Sequence, residues 1–299
     1  MFKKITTLAL CLSMLLGFTA CVAQNSDKTA DGKLKVSVTF NALYEFTKAV
    51  GGDKVEVSTV IPDGIEPHDF EPKAQDLVAL SQAQVFVYNG LGMEAWAADA
   101  IAAAGNSKLI AVDASTGVST ITESDNTAAH GQYDPHIWLS LKCAETEVSN
   151  IKDALIKADS ANKDFYEANC SEYTEKLESL YNDYSGKFSS IEKKSFVTGH
   201  AAFAYLCRDF GLSQKSVEDV FAEGEPSAKQ LTELAEYCKS SGVTTIFAEE
   251  MASPEVSQTL AGAVGAKVET IYTIDSAEDG LTYLERMEDN LSKIYDSMS

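Results

Sequence analysis

An α/β fold of two similar lobes, bridged by one long α-helix, is what this sequence predicts, and three observations carry it. Short β-rich apolar runs alternate with helical periodicity, the pattern of βαβ units and a parallel sheet. That alternation occurs twice, in the same order. Between the two rounds lies a long segment with one apolar stripe at helical spacing.

The chain opens outside the fold. Lys3 and Lys4 precede an apolar run from Ile5 to Phe18, and Thr19-Ala20-Cys21 follows. Residues 1–20 therefore read as a secretory signal, too short to span a membrane. Cys21 after small residues reads as a lipidation site, with an ordinary signal-peptidase cut as the alternative because Phe18 replaces the usual leucine. Residues 21–33 are polar and small, a flexible tether.

The first lobe is expected over residues 34–159 and the second over 191–299. "VSVTFNALYEF" (36–46) aligns with "SFVTGHAAFAY" (195–205) at an offset of 159. "EPKAQDL" (71–77) and "EPSAKQL" (225–231) share E-P-x-A-x-x-L; "QVFVYNG" (84–90) matches "TTIFAEE" (244–250), and "VDAS" (112–115) meets "IDSA" (274–277). Each round reads strand, helix, Glu-Pro loop, helix, strand, helix, strand. Residues 160–190 are the linking helix: no proline or glycine occurs before Gly186, Ser160 or Asn162 can cap the start, and Tyr166, Cys170, Tyr173, Leu177, Leu180 and Tyr184 form the stripe. One stiff helix between lobes resists wide hinge closure.

Composition excludes several functions. Without residues 1–20, which hold two lysines and no acid, 22 basic side chains face 45 acidic ones, a net charge of −23. Nucleic acid is not the partner of such a surface. Cys143, Cys170, Cys207 and Cys238 contain no C-x-x-C pair, so a zinc ribbon is excluded. A Cys207–Cys238 disulfide and buried free thiols both remain open.

Four histidines occur in the whole chain. His68 lies between two Glu-Pro pairs, Glu66-Pro67 and Glu71-Pro72, on the loop after the second strand of lobe one; the prolines keep that loop out of helix and sheet. His136 follows Pro135 in "YDPHIWLS", and His200 ends a strand of lobe two in "FVTGHAAFAYL". Ligands of open α/β sheets bind beyond the carboxyl ends of strands, so these imidazoles should share an inter-lobe cleft. Asp275, after the last strand, approaches from the same side. Three imidazoles and a carboxylate make a four-coordinate shell suited to zinc. Singly, each histidine reads as an ordinary surface residue and Asp275 as a helix cap; the weight lies in their joint placement. His130 reads as a loop residue, Trp138 and Phe203 as packing beside the cleft. Glu249 and Glu250 read as strand-end surface acids, or as acceptors orienting an imidazole.

"GIEPHDFEP", "DPHIWL", "VTGHAAFAYLCRDFGL", "EPSAKQL" and "YTIDS" resemble the cluster A-I metal receptors of bacterial ABC importers, from about residue 34 to the C-terminus. The resemblance implies two four-stranded parallel sheets bridged by the long helix, with the metal between them. It also implies ligands at His68, His136, His200 and Asp275. Histidine at the third position favours Zn²⁺ as the transported ion, with Mn²⁺ the alternative. Zinc members often carry a His-rich loop before the second motif; this chain offers only His130. The implied partners are an ABC permease and, through it, a cytoplasmic ATPase, reached by a monomer that is lipid-anchored outside the cytoplasmic membrane, or periplasmic if unlipidated. No H-E-x-x-H or G-x-S-x-G supports a zinc hydrolase, and an adhesin with incidental metal is the other rival. Imidazole ligation predicts an affinity that falls as pH drops through roughly 6.

Overall fold

The computed structural model describes residues 32–122, 132–220, 227–251, 253–277 and 279–299. The signal segment, Cys21, His130 and the Glu225-Pro226 pair lie outside the described residues.

The first round runs β1 (Leu34–Val38), α1 (Asn41–Gly51), β2 (Val55–Thr59), α2 (Ala74–Gln82), β3 (Val85–Tyr88), α3 (Ala97–Ala104) and β4 (Ile110–Asp113). Its sheet has the order β2-β1-β3-β4, every pair parallel. Then come α4 (Leu141–Ala158) and α5 (Lys163–Ser189). The second round is β5 (Ser195–Thr198), α6 (Ala204–Phe210), β6 (Ser213–Ser216), α7 (Ala228–Ser241), β7 (Thr245–Glu249), α8 (Glu255–Val264), β8 (Lys267–Ile271) and α9 (Tyr283–Met298), with order β6-β5-β7-β8, again parallel.

Central strands of parallel sheets are covered on both faces and read as continuous apolar runs. Val85–Val87 and all of Thr245–Glu249 are buried accordingly. The edge strand β6 is Ser-Gln-Lys-Ser, with no apolar residue, and so escapes the order read from the repeat. One repeat match is out of register. Tyr88 pairs with Asp113 and Ala248 with Thr270, so the duplicated partner of Asp113 is Thr270; Asp275 lies five residues further on, in the loop beyond β8.

The 27 residues of α5 extend about 40 Å at 1.5 Å per residue. Tyr166, Cys170, Leu177, Tyr184 and Phe188 are buried, while Tyr173 and Leu180 are partly so. Asn162 holds the cap position, but its side chain donates to Asp159 (2.7 Å) rather than accepting from the helix. α5 packs on α1 and α4, and on α6 and α9. Phe46 of α1 meets Tyr283 of α9 edge-on at 4.7 Å, and Phe188 of α5 lies 5.1 Å from Phe210 of α6. A single hydrophobic cluster therefore runs through both halves, from Leu34 to Met298, and a small second one (Val197, Val217, Cys238, Ile246, Leu260, Ala261) backs the second sheet.

Cys143, Cys170, Cys207 and Cys238 are all buried and free, so the Cys207–Cys238 disulfide is not formed. Burial raises each of these thiols, Cys207 to about 12.

Candidate metal centre

Each histidine sits where the backbone has been stopped. Pro67 opens a 3₁₀ turn (Pro67–Asp69), where its missing N–H costs nothing, and the Glu66 carboxylate accepts the His68 backbone N–H at 3.5 Å. His136 immediately precedes the 3₁₀ turn Ile137–Leu139, and Asn89 donates to the carbonyl of Pro135 (2.9 Å) just before it. His200 lies two residues beyond β5, at the point where the second sheet reverses its strand order.

The structure brings these three imidazoles together. Nε2 of His136 is 3.2 Å from Nε2 of His68 and 3.2 Å from Nε2 of His200. Among the described residues, no other group of three or more His, Cys, Asp or Glu side chains has its ligand atoms so mutually close, all within 4.8 Å. A tetrahedral ion with bonds near 2.0–2.1 Å needs nitrogens roughly 3.3–3.4 Å apart. His136 and His200 are buried and His68 is half-buried.

The Asp134 carboxylate fixes the central ring. Its Oδ1 accepts the backbone N–H of His136 at 2.9 Å and lies 2.9 Å from Nδ1 of the same residue. An oxygen already accepting from the backbone is an acceptor for the ring too, so Nδ1 carries the proton and the Nε2 lone pair faces the other imidazoles. Sequence reading passed over Asp134, although the spacing D-P-H was its signal. His136 lies 5.2 Å, ring to ring, from Trp138, whose indole N–H donates to the carbonyl of Thr273 (2.7 Å). Trp138 thus packs beside the cleft as expected and also bonds across it; Phe203 is buried.

Glu249 and Glu250 are not surface acids. Glu249 is buried, and its Oε1 accepts the backbone N–H of His200 at 2.9 Å, while the ring Nδ1 is 3.9 Å away. It holds the chain that carries the imidazole rather than the ring itself. Gly199 makes room for it: a Cβ there would stand 2.1 Å from Glu249 Oε2. Gly199→Ala should therefore displace that carboxylate, and the affinity of the three imidazoles for a divalent ion should fall about 10- to 100-fold; titration calorimetry measures it, and unchanged affinity would refute the role. Glu250 accepts the N–H groups of Thr273 (2.8 Å) and Ile274 (3.0 Å).

Asp275 is buried, with Oδ1 lacking any hydrogen-bond partner, but its carboxylate is outside the close set of imidazole nitrogens. Burial, then the charges of Glu66 and Glu250, raise it well above the usual carboxylate range. Burial also pulls the two enclosed imidazoles down, His136 to about 3 and His200 to about 3, and lifts Asp134 and Glu249 to about 7. Burial thus favours the neutral form of both enclosed imidazoles, and the neutral form of the carboxyls behind them.

The family described as ZnuA, zinc-uptake complex component A, periplasmic, matches residues 36–297. The chain belongs to the ZnuA family. It is similar to the high-affinity zinc uptake system protein ZnuA of Bacillus subtilis, 37% identical over 100% of this chain and 99% of that one. A putative metal-binding protein of Treponema pallidum is 47% identical over 91% of this chain and 89% of its own length. Among solved structures, a Zn(II)-bound mutant variant of AdcAII from Streptococcus pneumoniae superposes with a TM-score of 0.83 at 34% identity, covering 90% of this chain and 100% of that one. As a ZnuA-family member the chain is a solute-binding component of zinc uptake, and its two-sheet architecture is that of ZnuA-type structures.

Proposed function

We propose that this ZnuA-family chain captures Zn²⁺ outside the cytoplasmic membrane with His68, His136, His200 and Asp275, and delivers it to an ABC permease driven by a cytoplasmic ATPase. The observation that carries the reading is the convergence of three Nε2 atoms, 3.2 Å from the central one. The one Nε2 lone pair of His136 cannot serve two N–H donors at once, whereas a single cation between the rings engages all three nitrogens. Asp275 supplies the fourth donor and the negative charge, its buried Oδ1 gaining a partner it otherwise lacks. A nitrogen-rich tetrahedral set favours zinc over Mn²⁺, which prefers more oxygen donors. With four protein donors no coordination position is left for a reactive water, which argues for a carrier over a hydrolase. Lipidation at Cys21 and a monomeric state complete the proposal.

Titration of the metal-stripped mature protein, with Zn²⁺ and Mn²⁺ in competition, tests it: one zinc per chain, with manganese displaced. The same experiment reads protons. In the metal-free protein Asp134 and Glu249, raised to about 7, are each partly protonated at pH 7. A divalent charge beside them lowers both, so loading releases protons and tightens as pH rises through 7. Binding enthalpies at pH 7 should differ between buffers of different ionisation enthalpy; identical values would contradict this.

A further inference from the structure

Ile274 is fully buried and carries a φ of +64°. That left-handed backbone is costly for a β-branched side chain and persists only where the surroundings over-determine it. Here they do. The Glu250 carboxylate receives three donors: Oε2 from the Thr273 N–H (2.8 Å) and hydroxyl (3.3 Å), and Oε1 from the Ile274 N–H (3.0 Å). On the opposite side, lobe-one groups hold the carbonyls: the Trp138 indole that of Thr273, the Asn41 side chain that of Ile274 (3.5 Å), and the Asn41 N–H that of Asp275 (3.3 Å). From α9, Asn290 bonds both backbone groups of Tyr272 (2.8 and 2.7 Å), and Arg286 donates to the carbonyl of Ser276.

We propose that Glu250 is a positioning residue for metal capture: it holds the left-handed turn at Ile274 and so places the next residue, Asp275, for the ion. The inference rests on Asp275 serving as the fourth donor. Glu250 touches no metal. It acts by closing two successive N–H groups onto one carboxylate, which leaves the turn no relaxed alternative. A residue that tolerates positive φ at position 274 has no need of that support, and this separates positioning from simple structural stabilisation.

The test uses the mature protein loaded with Co²⁺, whose visible absorption reports coordination number and donor set, together with release of the ion to a chelator. Asp275→Ala establishes the signature of a lost carboxylate. Glu250→Gln should reproduce that signature, weaken binding about 10- to 100-fold and speed release, because one of its two acceptor atoms becomes a donor facing an N–H. Adding Ile274→Gly to Glu250→Gln should restore the original spectrum; Ile274→Asn, which also accepts the left-handed region, replaces it where the glycine variant is not folded. Glu250→Asp, too short to reach both N–H groups, takes the place of Glu250→Gln if that protein is insoluble. An Asp275→Ala spectrum identical to the parent would sink the donor assignment itself. A changed Asp275→Ala spectrum beside an unchanged Glu250→Gln spectrum and release rate overturns the positioning role alone. So does a folded double variant that recovers nothing.

Discussion

Replacing His136 by alanine should remove tight zinc binding. Its Nε2 is the one atom 3.2 Å from both other imidazoles, so its loss breaks the set at the centre rather than at the rim. Zinc held by four protein donors is worth about 10–16 kcal/mol, or roughly 3 kcal/mol per donor, which is more than a hundredfold in affinity. The effect should exceed that of Gly199→Ala, because a donor is lost and not merely its support. Calorimetry with the metal-stripped protein decides the matter: a hyperbolic or flat titration is expected, and an unaltered one-to-one step would refute the central role.

Trp138→Ala should give the largest loss of stability. The ring is fully buried, packs edge-on against Phe40 at 4.7 Å and donates to the Thr273 carbonyl. Truncating a buried aromatic to alanine costs about 3–5 kcal/mol. At about 2–4 °C per kcal/mol for a chain of this size or somewhat smaller, Tm should fall by roughly 10 °C. Trp138→Phe keeps most of the ring and isolates the lost N–H bond, expected at about 1–3 kcal/mol because a buried carbonyl goes unpaired. A melting curve unmoved by the alanine variant would mean that the two lobes are not joined through this side chain.

The gross plan was legible because it rests on burial. Apolar runs such as Val85-Phe86-Val87 and the stripe on α5 announce themselves through the spacing that covers them. The polar edge strand β6 could not, since its pairing is by backbone alone. The three imidazoles were legible from rarity, from the prolines before His68 and His136, and from the position of His200 just past a strand. What surrounds them was not. Glu249 and Glu250 read as exposed because acids after a strand usually are, and only the tertiary fold shows that one seizes the His200 N–H and the other the turn at Ile274. The "VDAS" and "IDSA" similarity failed for a related reason. Four residues match by chance easily, whereas the register of β8 on β7 is set by the whole ladder.

Position 41 shows what duplication made available. Through the offset of 159 it is the counterpart of His200, yet asparagine stands there and grips the segment that bears Asp275.

The four enclosed cysteines have a consequence for cargo handling. Thiolate sulfur is the strongest rival that nitrogen and oxygen face for zinc, and a protein bearing several exposed sulfhydryls would trap the ion in dead-end adducts or lose them to oxidants outside the cell. Sealed in the interior and kept protonated, Cys143, Cys170, Cys207 and Cys238 offer neither hazard. Among the described residues an arriving ion meets no exposed thiol, and an alkylating reagent applied to the native protein should find those four residues silent until the chain is unfolded.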